Sequence, residues 1–201
     1  IPYGVSYNSY VLLDEKNVVF DCVDWSVTRD MLENLEYVLD GKPLDYIVIN
    51  HLEPDHCSSM IEILYRYPKC GVISTEKAFM LMHQFGYHIE GHEQIKVKEG
   101  DTFCFGKHTV QFIEVPMVHW PEVMVTLDLT DGVLYSADAF GSFMAPDGKL
   151  WNDDVNYDRD WIDENRRYLC NIVGKYGPHI QLLLGKAAKV LDKIKIIAPL
   201  H

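Results

Sequence analysis

Short apolar segments recur along this chain, and their lengths and spacing predict strands that alternate with helices. Two apolar, β-rich segments, residues 9–13 and 18–22, flank a polar turn and predict a hairpin. Apolar residues then repeat at helical spacing from Thr28, the predicted cap, to Val38. Two almost purely apolar runs follow and are typical of strands buried on both faces: residues 46–49 and 71–74. This alternation favours an α/β sheet.

The second half of the chain predicts a run of short strands and then more helices. Two helices are expected beside the buried strands, at residues 58–67 and 76–85. Five strands of a meander should follow, at residues 94–97, 102–105, 109–115, 123–128 and 132–136. Helices at 161–176 and 178–191 and a strand at 194–198 close the pattern. Sheets inside and helices outside predict a layered sandwich, which we assign to one domain, residues 1–201.

Composition and charge narrow the class of protein. The chain has 201 residues and a formal net charge of −12, so it repels phosphate backbones, and nucleic acid is not an expected partner. No apolar run reaches the ~20 residues of a spanning helix, and the N-terminus lacks a signal-peptide pattern, so neither membrane insertion nor secretion is expected. The five cysteines are scattered without a Cys-x-x-Cys pair, which fits reduced thiols and a cytoplasmic location.

Candidate chemistry concentrates in residues 50–59, between a buried strand and a helix. This segment carries two imidazoles and two carboxylates, His51, Glu53, Asp55 and His56, and all four are metal-ligand types. Residues spaced by two point the same way in an extended loop, so His51, Glu53 and Asp55 are expected to converge. The alternative is a polar surface loop of an acidic protein.

Three more candidates each follow an apolar strand. They are His119, Asp138 and His201. One polar residue in such a place is more often a loop cap or a hydrogen-bonding partner. Taken with the first loop, the three favour a metal site assembled from several strand ends.

The order of these residues resembles the metallo-β-lactamase superfamily, and specifically its flavodiiron branch, the A-type flavoproteins. The similarity includes the opening Gly-Val-Ser-Tyr-Asn-Ser-Tyr at 4–10 and further segments at 137–141, 166–168 and 171–177. Zinc hydrolases of the superfamily, such as glyoxalase II-like thiolesterases, carry His where this chain has Glu53. The resemblance implies an α/β fold, the metallo-β-lactamase-like αββα sandwich.

The resemblance also implies a role for each candidate. His51, Glu53 and His119 would hold one iron and Asp55 and His201 the other, with Asp138 bridging. His56 matches a position close to the second iron that is often not a ligand, so its role stays open. Tyr168 would line the substrate pocket or be an ordinary tyrosine of an amphipathic helix, and Trp120 would shield the metal pocket or belong to the core. The other histidines match no motif position and are expected at the surface or at helix ends: His83, His88, His92, His108 and His179.

Three carboxylates would nearly balance the charge of two iron ions in both the ferrous and the ferric state, once a bridging hydroxide or oxide is counted. Imidazole and carboxylate ligands without thiolate suit iron or manganese, although zinc accepts the same atoms. A member of this branch would reduce dioxygen to water, nitric oxide to nitrous oxide, or both, at a non-haem diiron centre.

Electrons in the family arrive through FMN in a flavodoxin-like domain that follows the metal domain. We expect that domain to be absent from these 201 residues, because no Gly-rich phosphate loop opens a helix here. The chain begins at Ile1 without methionine, so we expect a fragment of a longer protein. The resemblance implies a head-to-tail homodimer and leaves the electron donor open among rubredoxin, reduced deazaflavin and a pyridine nucleotide reductase. The alternative functions are a binuclear zinc hydrolase, in which Asp55 orients a metal-bound hydroxide, and an interaction module that retains the fold.

Overall fold

Two β-sheets lie face to face in the computed structural model, which describes residues 2–145 and 147–201. The first sheet has the order β1-β2-β3-β4-β5. Its strands are β1 (Tyr10–Leu12), β2 (Val18–Phe20), β3 (Tyr46–Val48), β4 (Gly71–Thr75) and β5 (Gln94–Val97). The second sheet has the order β10-β9-β8-β7-β6. Its strands are β6 (Thr102–Cys104), β7 (Thr109–Glu114), β8 (Met124–Asp128), β9 (Val133–Tyr135) and β10 (Ile196–Ala198).

Strand direction differs between the two sheets. Strands β2 to β5 are parallel, and β1 joins β2 as the antiparallel hairpin that the sequence predicts. In the second sheet β6 to β9 are antiparallel, while β10 runs parallel to β9. Parallel strands are covered on both faces, and β3 and β4 are accordingly buried along almost their whole length.

Helices cover the outer face of each sheet. The first sheet is flanked by α1 (Thr28–Leu39), α2 (Pro54–Cys57), α3 (Met60–Arg66) and α4 (Glu76–Gln84). The second sheet is flanked by α5 (Ile162–Tyr168) and α6 (Gly177–Ala187). Among the helices of 2–145 and 147–201, none combines the length and the apolar character needed to cross a membrane. The predicted αββα sandwich is confirmed.

The core is divided into three apolar layers. Between the sheets, the rings of Phe20 and Tyr135 stack with centroids 3.8 Å apart. Leu35 of α1 and Ile63 of α3 pack on the outer face of the first sheet. Leu183 of α6 packs on the outer face of the second. Burying one such leucine or phenylalanine side chain contributes about 1.5–3 kcal/mol, so the three layers hold the sheets in a fixed relation and fix the loops at their ends.

The prediction that Thr28 caps α1 was wrong. Thr28 lies inside the first turn and donates its hydroxyl to the Trp25 carbonyl oxygen at 2.8 Å. A 3₁₀ turn, Trp25–Val27, precedes the helix, and Asp24 caps that turn by accepting from the Ser26 amide at 2.9 Å. The chain therefore becomes helical one turn earlier than the apolar spacing indicates.

Two other helices were predicted with the wrong extent. The helix expected at 58–67 is α3, which spans the shorter range Met60–Arg66. Helix α2 precedes it and was not predicted; Pro54 begins α2 at a first-turn position where its missing N–H costs nothing. The helix expected at 161–176 keeps α-geometry only to Tyr168, and a π-helical turn, Leu169–Val173, and a 3₁₀ turn, Gly174–Tyr176, follow it.

Candidate metal centre

All seven predicted metal-ligand residues lie at one end of the sandwich. Strands β7 and β9 both run antiparallel to β8, and β10 runs parallel to β9, so these three strands end at the same edge of the second sheet. The loop after β3 reaches that edge from the first sheet, where the Met124 amide donates to the Asn50 carbonyl oxygen at 3.1 Å. The loops after β3, β7, β9 and β10 therefore meet, as the sequence predicts.

The first group of candidate ligands consists of His51, Glu53, His119 and Asp138. His119 Nε2 lies 2.8 Å from Glu53 Oε2 and 3.0 Å from Asp138 Oδ2. His51 Nε2 lies 3.3 Å from Glu53 Oε2 and 3.4 Å from His119 Nε2. Ligands bound at about 2.1 Å around one ion are about 3.0–3.4 Å apart at octahedral or tetrahedral angles, so these distances match the edges of a coordination shell.

The second group consists of Asp55, His56 and His201. His56 Nε2 lies 3.0 Å from His201 Nε2 and 3.0 Å from Asp138 Oδ1. His201 Nε2 lies 3.3 Å from Asp55 Oδ2. Asp138 thus faces the first group with Oδ2 and the second with Oδ1.

The expected convergence of three residues of the first loop was wrong for one of them. His51 and Glu53 meet, but Asp55 lies with the second group. The alternation of side chains holds only in extended backbone, and Pro54 begins α2, so Asp55 already stands on a helix.

The donor set fits a dinuclear metal site. Imidazole nitrogens 3.0 Å and 3.4 Å apart face each other, with carboxylate oxygens between them, and a cation would satisfy all of these lone pairs at once. Asp55 Oδ1 and His56 Nδ1 are buried and have no hydrogen-bond partner within the described residues. Nitrogen and oxygen donors without thiolate suit iron, manganese or zinc.

Electrostatics in the first group favour charged side chains. Burial lowers the pKa of His51, but hydrogen bonds to Glu122 and Glu53 outweigh it and raise that pKa to about 10. Burial likewise opposes the charge of His119, whose pKa rises to about 9 beside Asp138 and Glu53. Burial raises the pKa of Glu53, yet contacts with His119 and His51 lower it to about 2. Without a metal, protonated imidazoles thus balance the negative charge of the carboxylates in this group, and a metal ion would displace those protons.

Glu122 is a residue of this site that the sequence analysis did not select. Its side chain is 1% exposed, and its Oε1 accepts from His51 Nδ1 at 2.9 Å and from the Leu52 amide at 3.0 Å. The only signal is one carboxylate between Pro121 and the apolar strand β8, which by itself also fits a surface turn.

The sequence analysis also missed Asp21, whose carboxylate binds backbone amides of the first loop. It is 1% exposed and accepts from the Asn50 amide at 2.7 Å, the Asn50 side-chain amide at 2.7 Å and the His51 amide at 3.2 Å. Its φ of 53° is uncommon for a residue other than glycine, as is the φ of 51° at Ala137, directly before Asp138. Backbone strain of this kind is frequent where side chains must be aimed at a site.

Tyr168 lies beside the second group and is 2% exposed. Its ring centroid is 5.6 Å from that of His201 and 5.1 Å from that of Phe143. Burial, and then the nearby charge of Asp138, raise the pKa of its hydroxyl, which has no hydrogen-bond partner in the described part of the chain. A Cβ at Gly141 would lie 2.9 Å from Tyr168 Cζ, so glycine leaves room for the ring. Its role in a substrate pocket stays a prediction.

Trp120 contacts both the site and the core. Its ring centroid is 5.3 Å from that of His51 and 6.1 Å from that of the exposed Phe85. It packs against the apolar clusters of both sheets. The two interpretations of Trp120 are thus compatible with each other.

His108, which was expected at the surface or at a helix end, lies in the partly exposed turn between β6 and β7. It is half-buried between turns of both sheets, and its ring nitrogens donate to Asp14 at 2.8 Å and to Asp131 at 3.3 Å. His92 is also partly exposed, and its Nδ1 donates to the Cys70 carbonyl oxygen at 2.9 Å. His83 and His88 are exposed, and His179, partly buried near the start of α6, lies against Tyr176.

Two adjacent ligand groups that share one carboxylate, at the end of an αββα sandwich, define a metallo-β-lactamase-like domain. The chain belongs to the family described as ODP family beta lactamase, whose model matches residues 5–201.

Named relatives place the chain within the flavodiiron branch. The anaerobic nitric oxide reductase flavorubredoxin of Salmonella arizonae is 36% identical over an alignment of 202 positions that covers 98% of this chain and 41% of the relative. The structure of rubredoxin:oxygen oxidoreductase from Desulfovibrio gigas matches with a TM-score of 0.91 at 30% identity, over 99% of this chain and 49% of that chain. The flavodiiron protein from Giardia intestinalis matches with a TM-score of 0.88 at 28% identity, over 99% and 47%. The predicted resemblance to flavodiiron proteins is confirmed, and the chain spans about two fifths of the length of the curated relative.

Proposed function

We propose that this chain is the metal-binding part of an oxidoreductase that reduces dioxygen to water, nitric oxide to nitrous oxide, or both, at a non-haem diiron centre. The observation that carries the proposal is the pair of ligand groups joined by the two oxygens of Asp138. Glu53 lies 2.8 Å from His119 in the first group, and a carboxylate at this position supports iron over zinc. The names of the relatives, a nitric oxide reductase and a rubredoxin:oxygen oxidoreductase, agree with this chemistry.

In this proposal His51, Glu53 and His119 hold one iron, Asp55 and His201 hold the other, and Asp138 bridges them. His56 joins the second set, because its Nε2 is within 3.0 Å of both Asp138 Oδ1 and His201 Nε2. When bound, two ferrous ions would supply two electrons and hold two oxygen or nitrogen atoms side by side.

The chain's own side chains would shield this centre and provide a proton donor. Trp120 lies edge-on to the imidazole of His51, Tyr168 packs beside His201, and Phe143 packs against Tyr168, so aromatic rings border the site on two sides. We propose Tyr168 as a catalytic residue whose hydroxyl donates a hydrogen bond to the substrate. Because burial raises its pKa, the hydroxyl stays protonated and acts as a donor rather than a base.

Electron supply would come from outside these residues. Reduction of dioxygen to water takes four electrons, twice what a diferrous pair holds. We therefore propose that FMN, in a flavodoxin-like domain on the same or another polypeptide, refills the centre, and that a donor such as rubredoxin reduces the FMN.

We also propose a head-to-tail homodimer in the cytoplasm. Two exposed leucines support an interface, Leu182 of α6, which is 66% exposed, and Leu191 after α6, which is 65% exposed. The five cysteines are all free, which supports a reducing compartment. Light scattering on the complete protein tests the dimer.

Metal analysis and turnover test the function. Protein produced with abundant iron is expected to contain two iron ions per chain, and the chemically reduced chain should react once with O₂ or NO. Addition of a flavodoxin-like FMN domain and a donor should give many turnovers. Stoichiometric zinc together with hydrolysis of a thioester or lactam would instead establish the zinc hydrolase. Glu53→His is the matched variant, since it should shift the site toward zinc and abolish the reduction.

A further inference from the structure

The imidazoles of the two ligand groups differ in what supports their outer nitrogen. His51 Nδ1 donates to the carboxylate of Glu122 at 2.9 Å. His201 Nδ1 donates to the uncharged Ser6 carbonyl oxygen at 2.8 Å. His56 Nδ1 has no partner within the described residues. Of these three histidines, His51 has a carboxylate hydrogen-bonded to its Nδ1, and neither histidine of the second group has one within the described residues.

Glu122 is held firmly enough to orient that ring. The oxygen that receives His51 Nδ1 also receives the Leu52 amide at 3.0 Å, and the Glu122 carbonyl oxygen accepts the Thr75 hydroxyl at 3.2 Å. Thr75 is itself fixed as the cap of α4. The side chain is 1% exposed, so solvent hardly screens the carboxylate.

A carboxylate in this position has two effects on a metal ligand. It fixes the tautomer with the proton on Nδ1, which leaves the Nε2 lone pair free for a metal, and it makes Nε2 a stronger donor. Charge adds to this asymmetry. Beyond the shared Asp138, two carboxylates contact the histidines of the first group, Glu53 and Glu122, and one contacts those of the second, Asp55.

We propose that Glu122 is a positioning residue that makes the His51–Glu53–His119 site the tighter of the two, so that this site takes up metal before the site of Asp55, His56 and His201. The proposal rests on the dinuclear site of the proposed function. It predicts ordered loading, in which a chain with one metal ion holds that ion in the first site.

The test is an anaerobic titration of the metal-free complete protein with Co²⁺. Binding is monitored by calorimetry and by the d–d absorption of the bound ion. Wild type should bind two ions in two resolved steps. His201→Ala should retain the first step and weaken the second, and His119→Ala should lose the first. These two variants identify which site fills first.

Glu122→Gln tests the charge itself, because the amide oxygen still accepts from His51 Nδ1 in a side chain of the same size. The first step is expected to weaken by about 10–100-fold while the second stays unchanged, so that the two steps merge. The Co²⁺ spectrum of the first ion should shift, which a merely structural role of Glu122 would not produce. Glu99→Gln, the same change at a surface carboxylate that pairs with Lys186, is the matched control and should alter neither step.

Glu122→Asp keeps the charge and covers the case in which Glu122→Gln fails to fold, as judged by circular dichroism. Its affinity for the first ion should be higher than that of Glu122→Gln. If only Glu122→Asp folds, that affinity should lie within about tenfold of the wild-type value. Two results would overturn the role of Glu122 without contradicting the dinuclear site. One is that both binding steps of Glu122→Gln are unchanged, and the other is that the first ion binds at the site of Asp55, His56 and His201. Failure of wild type to bind two ions would instead contradict the proposed function.

Discussion

Asp138 presents one carboxylate oxygen to each group of candidate ligands and is 1% exposed. Asp138→Ala is therefore expected to reduce the content of both metal ions together, whereas His201→Ala should empty mainly the second site. Metal at 1,000 times its Kd stabilises a native state by about 4 kcal/mol, so the variant should melt about 8–16 °C below the loaded protein. Elemental analysis and calorimetry measure both effects. Retention of both ions with an unchanged Tm would show that Asp138 does not bridge.

Gly141 packs directly under the ring of Tyr168, and a Cβ there would lie 2.9 Å from Tyr168 Cζ. Gly141→Ala should push the ring from its place beside His201 and destabilise the fold by about 1–3 kcal/mol in urea denaturation. Gly185→Ala is the control, because a Cβ at that helical position meets nothing within 4 Å. The control should be neutral or stabilising by about 0.4–1 kcal/mol. Equal effects of the two changes would refute the close packing of Tyr168.

The sequence identifies residues at strand ends better than the residues that support them. His119, Asp138 and His201 each follow an apolar strand, so their meeting follows from strand direction alone. Glu122 and Asp21 act through hydrogen bonds to a loop 70 and 29 residues away along the chain, and no local pattern specifies such contacts.

At the scale of elements, His108 ties turns of both sheets together. Its ring donates to Asp14 in the β1–β2 turn and to Asp131 in the β8–β9 turn. Burial lowers the pKa of His108, but the bonds to Asp14 and Asp131, with the nearby charges of Asp128 and Asp14, raise it above 6.5 overall. The charged form is thus favoured in the fold. The contribution of charged His108 to stability is fully present below the pKa that His108 has in the unfolded chain. It is lost as the pH rises through the higher pKa of the folded state.

His108→Gln should therefore lower Tm most at about pH 6 and progressively less toward pH 9. Hydrogen bonds to a charged group contribute about 1.5–3 kcal/mol each at most, and partial exposure reduces this, so a loss of about 2–4 °C at pH 6 is expected. His88→Gln, at an exposed histidine, is the control. A difference in Tm between wild type and His108→Gln that does not vary with pH would contradict the ion pair.

Element type was easier to predict than element geometry. The buried strands were found because β3 and β4 are apolar on both faces and the residues around them are polar. The helix predicted at 161–176 fails after Tyr168, because apolar residues at helical spacing fit α-, π- and 3₁₀-turns alike. Helix α2 was missed because its four residues are too few to show a period.

For the whole molecule, metal binding should depend steeply on pH. Without metal, His51 and His119 have pKa values of about 10 and 9, so both are protonated at neutral pH and must release protons to bind an ion. Affinity for Co²⁺ should rise by up to about tenfold per pH unit for each proton released, between pH 6 and pH 9. Calorimetry in buffers of different ionisation enthalpy counts those protons. A pH-independent affinity would show that the imidazoles are neutral before metal binds.

The metal centre joins side chains from distant parts of the chain, and this bears on the speed of folding. His56 and His201 are 145 positions apart, and His51 and His119 are 68 apart. Contacts between such distant residues carry a large loop-closure cost and are expected to form after the rate-limiting step. Metal would then slow unfolding and hardly change the rate of folding, because it stabilises interactions absent from the transition state. Stopped-flow unfolding and refolding with and without Co²⁺ should show the change in the unfolding rate, and the bound ions would determine how long the native state persists.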